Sequence, residues 1–317
     1  MSEDFSGKQV DRYLLASLIG CGAAGSVYQA VDTTLQDSPT FAIKCIHESL
    51  NPRRRRQQIA EMDNHDTVAC CPHVMMLYDS FEQHHCFFLV FPLCESDMFR
   101  TIWKEKVYWR NDALIKEVFV DILDGVFACH KKGVFHRDLK PENIMCNAHG
   151  KEIRIGDFGL SSNRRLCRDG GCGTSYYMSP GQSLVAMHTV MIWTDLPREC
   201  LDKNEIFYYA EPADIWSLGV ILFNMVTCRY PWEEARPTDD EYTAFMAKKD
   251  YLLRTSPISE SLSMLLCQIW HPTPLRRLPI PAIREAIVEM DTFYKPRRSS
   301  HSISPLSKEE ILPVVDS

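Results

Sequence analysis

His136-Arg137-Asp138-Leu139-Lys140-Pro141-Glu142-Asn143, followed fourteen residues after Asn143 by Asp157-Phe158-Gly159, decides how this chain is read. The run sets a carboxylate beside a cation and a side-chain amide five residues on, and the later tripeptide adds a second carboxylate flanked by glycine. Those are the parts needed to move a phosphoryl group from Mg-ATP to a hydroxyl. That chemistry depends on positioning and charge neutralisation more than on covalent steps.

The octapeptide resembles the catalytic loop of protein kinases, and the tripeptide resembles their metal-binding DFG. The resemblance runs over residues 13–294 and implies an α+β, bilobal fold. It sets a small, mainly β lobe at 13–94 and a larger, mainly α lobe at 95–294, with an N-terminal extension at 1–12. The resemblance also implies roles. Asp138 would accept or orient the substrate hydroxyl proton, Asn143 and Asp157 would hold Mg²⁺, and Lys140 would neutralise the transferring phosphate. Lys140-Pro141-Glu142 is the wording of serine/threonine kinases, whose protein substrates carry Ser or Thr acceptors. Thr174, in Gly173-Thr174-Ser175-Tyr176-Tyr177, resembles the threonine that touches both Asp138 and Lys140 in that class. Asp214, in Asp214-Ile215-Trp216-Ser217-Leu218-Gly219, resembles the buried aspartate that accepts backbone hydrogens from the catalytic loop, partners that a buried carboxylate requires.

Upstream, Ile19-Gly20-Cys21-Gly22-Ala23-Ala24-Gly25-Ser26-Val27 places glycines where a backbone must approach phosphate oxygens. It precedes Phe41-Ala42-Ile43-Lys44 by the span of one hairpin, whereas a dinucleotide-binding fold would lead from the glycines straight into a helix. The kinase resemblance assigns the ATP contacts to Ile19, Gly20, Gly22, Gly25, Val27 over the adenine, Ala42, and Lys44 on the α and β phosphates. Glu61 is the expected partner of Lys44, because it lies one helix and loop before Pro72-His73-Val74. The hinge falls in Phe88-Leu89-Val90-Phe91-Pro92-Leu93-Cys94. There Phe91 guards the back of the pocket, the Pro92 carbonyl accepts from the adenine amino group, and the Cys94 N–H faces the ring. Pro92 departs from the acidic residue more often seen at that place.

Composition sets the outer limits. With 317 residues, 45% hydrophobic and 24% charged, the chain has a globular composition able to bury a sizeable core. A net charge of −7 argues against a nucleic-acid binder. Arg53-Arg54-Arg55-Arg56 reads as a solvated turn before a helix at 57–69, with a docking patch for an acidic partner as the alternative. The 13 cysteines show neither a C-x-x-C repeat nor zinc-type His spacing, and read as reduced thiols of a cytosolic or nuclear protein. The N-terminus has no secretory pattern, and no apolar run approaches the roughly 20 residues that span a bilayer. A monomeric catalytic domain without membrane or nucleic-acid partners is expected. Apolar periodicity predicts a strand at 87–91, a helix at 113–131 and a fully buried helix at 213–227. The tail at 295–317, rich in Ser and Pro, reads as disordered. Arg297-Arg298-Ser299-Ser300 within it reads as solvated, with modification by a basophilic kinase as the alternative.

One departure stands out. The resemblance expects a Pro-Glu pair to close the activation segment, with the Glu buried against an Arg, but the chain reads Met178-Ser179-Pro180-Gly181. Glu199 opens Glu199-Cys200-Leu201-Asp202, so excising 181–198 would restore Pro-Glu and offer Glu199 to Arg277. Those eighteen residues suit a retained short fungal-type intron. Gly181-Gln182 can encode a donor, Trp193-Thr194-Asp195-Leu196 a branch sequence, and Arg198-Glu199 the closing bases. A genuine insertion is the alternative, and with it a catalytically impaired, kinase-fold scaffold. Phe135-His136-Arg137-Asp138, Gly171-Cys172-Gly173-Thr174 and Tyr177-Met178-Ser179-Pro180 resemble fungal kinases of the meiosis-inhibitor and nutrient-response type. In such loops Arg137 meets a phosphorylated residue. Here Asp169 is expected to supply that negative charge, giving activity without loop phosphorylation.

Overall fold

A computed structural model describes residues 4–22, 25–36, 39–168, 173–187 and 207–296, with backbone alone at 53 and 185–187. Alternating apolar residues after Tyr13 build the hairpin of β2 (Tyr13–Gly22) and β3 (Gly25–Asp32), preceded by the short β1 (Gln9–Val10). Next come β4 (Thr40–His47), β5 (Asp79–Gln83) and β6 (Cys86–Pro92), giving an antiparallel sheet in the order β1-β2-β3-β4-β6-β5. Gly25 has φ +133°, and a Cβ there would fall 2.3 Å from the Cys45 carbonyl oxygen, so only glycine lets β3 lie this close to β4. Tyr13, Leu15, Tyr28, Ile43, Cys45, Phe88 and Val90 form the core on one face of this sheet. The expected extension joins it: Phe5 is buried and meets Phe88 edge-on at 5.6 Å.

The helix α1 (Pro52–Val68) closes the sheet's other side. It starts five residues before the boundary read from the sequence, which corrects the reading of the arginine run as a turn: Arg54–Arg56 lie in the first turns of α1. Proline is at home at the first helical position, and arginine is a good helix former, so nothing local stops the helix earlier. Along α1 the buried residues Glu61, Asn64, His65 and Val68 follow the spacing of one helical face, but three of the four are polar.

The lower lobe is built on two helices. α2 (Asp112–Lys131) is capped by Asn111, whose side chain accepts from Leu114 N–H, and it buries Ile115, Val118, Phe119, Ile122, Leu123 and Val126. β7 (Ser96–Asp97), which precedes α2, forms one small sheet with β8 (Ile144–Cys146) and β9 (Arg154–Ile155), which follow it; the β10 (Leu166–Cys167) and β11 (Tyr208–Tyr209) pair and the short α3 (Pro180–Met187) also lie between α2 and the next long helix. α4 (Ala210–Thr227) is apolar and buried almost all round. Trp270 lies against it, donating from Nε1 to the Trp216 carbonyl at 3.1 Å, at a place where a Cβ on Gly219 would be 2.5 Å from that nitrogen. α5 (Asp240–Ala247), α6 (Tyr251–Thr255), α7 (Glu260–Ile269) and α8 (Ile280–Glu289) complete the lobe. Among the described residues no helix is long and apolar enough to cross a membrane. Glu199, Asp169, most of 181–198 and the tail from 297 lie outside the described residues.

Candidate active site

β8 and β9 fix the spacing of the two expected metal ligands. Ile144 pairs with Ile155 across the sheet, and Gly156 N–H donates to the Asn143 carbonyl at 2.8 Å, so Asn143 and Asp157 emerge side by side. Both oxygens of Asp138 are occupied. Oδ1 accepts from Thr174 N–H at 3.1 Å and Thr174 Oγ1 at 3.3 Å, and Oδ2 accepts from Lys140 Nζ at 2.8 Å and Asn143 Nδ2 at 3.2 Å. Lys140 Nζ also reaches Thr174 Oγ1 at 2.9 Å, and Asn143 Nδ2 donates to the Asp138 carbonyl at 2.8 Å. Asp138, Lys140, Asn143 and Thr174 are therefore one hydrogen-bonded unit.

This unit rests on Asp214, which is fully buried on α4. Its Oδ1 accepts from Arg137 N–H at 2.7 Å, and its Oδ2 accepts from His136 N–H at 2.8 Å and lies 2.8 Å from His130 Nε2. Arg137 takes φ +69°, and its Nε donates to the Tyr208 hydroxyl at 2.6 Å. Gln182, in the first turn of α3, accepts from Ser179 N–H at 3.0 Å and donates to the Arg137 carbonyl at 3.1 Å. Residues at the start of the eighteen-residue departure thus seat directly on the catalytic loop.

On the nucleotide side, Lys44 Nζ contacts Glu61 Oε1 at 2.5 Å and Asp157 Oδ1 at 2.9 Å. Burial would lower the lysine's pKa, but the two carboxylates outweigh it and hold it above its ordinary value. Burial raises Glu61, with Lys44 opposing; at Asp157 burial also raises the carboxyl, but Lys44, His136 and the Gly159 N–H together outweigh it and lower the carboxyl. The hairpin register sets Val27 opposite Gly20 and Lys44, with Gly22 opposite Gly25, while Ile19 is 48% exposed at the mouth. Ala42 faces Phe91 across β4 and β6, Pro92 ends β6 opposite Phe41, and Cys94 follows in the connection to the lower lobe.

Arg277 is the fourth expected structural group. It is buried, donates from Nε to His271 O at 3.1 Å and from Nη1 to Pro212 O at 2.6 Å, and sits 4.8 Å from the Trp216 ring centre. Among the described residues Nη2 has no hydrogen-bond partner, and burial lowers the guanidinium to about 9.

Sequence reasoning missed His65. Four residues after Glu61 on the same face of α1, its ring stacks at 5.1 Å on Phe91 and 4.7 Å from Phe158, which in turn lies 4.9 Å from His136. The spacing from Glu61 was a usable signal, but a histidine there gave no apolar one. Burial first, with Lys44 and His136 adding, lowers its pKa from 6.5 to about 4. An unfolded chain therefore takes up a proton that the folded one refuses. The stability due to neutral His65 is complete above about pH 6.5 and is lost as pH falls towards 4. On going from pH 7.5 to 5, the native chain should lose about 2 kcal/mol more in urea unfolding than His65→Leu. Equal losses would refute it.

Residues 13–287 match the protein kinase domain family. The chain is 33% identical over 278 residues to a negative regulator of sexual conjugation and meiosis from Schizosaccharomyces pombe, covering 86% of this chain and 59% of that protein. It is 27% identical over 241 residues to the serine/threonine-protein kinase SKS1 of Saccharomyces cerevisiae, covering 75% of this chain and 45% of that protein. It is 30% identical over 252 residues to the serine/threonine-protein kinase CHK1 of Mycosarcoma maydis, covering 77% and 32%. The chain thus spans less than two thirds of the length of each of these relatives. A family match over nearly the whole described length, together with the Asp138 and Lys44 clusters, leads to one conclusion: the chain belongs to the protein kinase family, among its serine/threonine kinases.

Proposed function

We propose that this chain transfers the γ-phosphoryl group of Mg-ATP to Ser or Thr hydroxyls of protein substrates. The observation that carries the reading is the closed set of contacts joining Asp138, Lys140, Asn143 and Thr174. Asp138 orients the acceptor hydroxyl and takes its proton, and Lys140, held between Asp138 and Thr174, offsets charge on the transferring group. Lys44, fixed by Glu61, binds the α and β phosphates. Asn143 spends its amide nitrogen on Asp138, so its oxygen is the atom left to a cation, beside the carboxylate of Asp157. Two hard oxygen donors fit Mg²⁺, which when bound neutralises charge on the phosphates. ADP release by the purified chain on a Ser/Thr peptide library tests the reading; ATP turnover without peptide phosphorylation would reject it. An intracellular, monomeric catalytic unit is part of this proposal.

Arg277 supports a second reading, in which 181–198 impairs the protein. We take 181–198 to be foreign to the working fold. Its removal joins Pro180 to Glu199 and should deliver a carboxylate to Arg277. Uncompensated buried charge costs about 3–5 kcal/mol, whereas the two Gln182 hydrogen bonds lost are worth about 1 kcal/mol each. The shortened chain should therefore be more stable by about 1–3 kcal/mol, a rise in Tm of at least about 2 °C. Glu199→Ala in that chain should cancel the gain. A lower Tm, or a mature transcript that retains the segment, would count against it, and ADP release by both forms separates an active kinase from a scaffold.

A further inference from the structure

The pairing of β4 with β6 gathers three ligand-type side chains away from the nucleotide cleft. Cys45 and His47 share a face of β4, and Cys86 stands directly across from His47 in the antiparallel register. Their sulfur and nitrogen atoms all lie within 4.8 Å of one another, with Cys86 Sγ 3.2 Å from His47 Nδ1. A tetrahedral zinc ion, with Zn–S near 2.3 Å and Zn–N near 2.0 Å, asks for S–N and S–S separations of about 3.6 and 3.8 Å. Small side-chain adjustments meet that demand.

We propose that Cys45, His47 and Cys86 form a zinc site that braces β4 against β6, with water in the fourth position. Two thiolates cancel the charge of the ion, so the loaded site is neutral and compatible with the burial of Cys45 and Cys86. Binding releases two thiol protons to solvent and involves no redox change. His47 is exposed and gives the ion its way in. Phe5, packed on Phe88 and 6.2 Å from the His47 ring, screens the thiols from water. Lys44 points to the opposite face of β4, so this site does not share atoms with the phosphate-binding one. The ligands Cys86 and His47 are 39 residues apart, which is why a search for closely spaced cysteine pairs does not find them.

The test uses the full chain, stripped of metal with a chelator and titrated with Zn²⁺ against a competing chromophoric chelator. One equivalent should bind and raise Tm, and Co²⁺ in its place should give a thiolate-to-metal charge-transfer band. His47→Gln, a surface change that leaves both thiols in place, should weaken binding by at least about 100-fold, the upper figure for loss of even an outer partner. It should also abolish the zinc-dependent rise in Tm. Cys45→Ser with Cys86→Ser should remove the charge-transfer band. Failure of the native chain to bind micromolar zinc overturns the proposal. So does unchanged binding by His47→Gln, which would move the ion to other thiols such as Cys70 and Cys71.

Discussion

Asp138→Asn should lower kcat by about 10²–10⁴-fold, the range for removing a positioned general base, while KM for ATP changes little. Asparagine fills the same space, and one oxygen can still accept from Thr174. Its amide nitrogen, however, would replace Oδ2, which now accepts from Lys140 Nζ at 2.8 Å, and set donor against donor. The base is lost and Lys140 is pushed from the place where it meets the transferring group. Lys44, Glu61 and Asp157 touch none of these atoms, so nucleotide binding should survive. Lys44 itself is a poorer probe. Its removal would leave the buried Glu61 carboxylate facing Asp157 without a cation between them, and stability would fall along with activity. Steady-state ADP release with the Asn variant, alongside binding of a nucleotide analogue, gives the measurement. A kcat within threefold of native would remove Asp138 from its proposed role.

The legible parts of this molecule are those where one residue type has one physical use. The strand that holds Lys44, the glycine hairpin and the buried helix bearing Asp214 follow from apolar period and glycine spacing alone. The start of α1 does not, because its buried face presents Glu61, Asn64 and His65 in place of apolar residues, and hydrophobic periodicity is blind to a polar stripe. Glu61 was reachable through its resemblance to the partner of Lys44; His65, four residues on, had no motif to announce it. β1 and β5 are short edge strands, each paired with the next strand in the chain across a two-residue turn, and strands this short carry too few alternating positions for local pattern to specify them. The Cys45, His47 and Cys86 cluster is a product of strand register, a long-range property that no spacing rule contains. The contact of Gln182 with the catalytic loop is of the same kind: the sequence shows where Pro-Glu is missing, and only the fold shows what sits there instead.

Asp214→Ala should destabilise the chain by about 3–5 kcal/mol and reduce kcat at least tenfold at temperatures well below Tm. The carboxylate touches neither nucleotide nor acceptor, so the second effect is one of position. Its loss strands the N–H groups of His136 and Arg137 in a site with no water-facing side, and each stranded donor costs about 1–3 kcal/mol. Arg137 has a further reason to move. A non-glycine residue at φ +69° stores on the order of 1–3 kcal/mol, and the 2.7 Å bond from its N–H to Asp214 Oδ1 opposes its relaxation. Asp138 is the next residue in the chain, so any turn of Arg137 towards a right-handed conformation swings the carboxylate away from Lys140 and Thr174. Asp214→Asn should fall between native and Ala, since it keeps one acceptor but turns an amide nitrogen on a backbone donor. Urea unfolding reads the stability loss, and kcat against KM for ATP reads the displacement. A variant that unfolds within 1 kcal/mol of native, or one that is unstable yet turns over at the native rate when cold, would show that the catalytic loop does not depend on α4 for its shape.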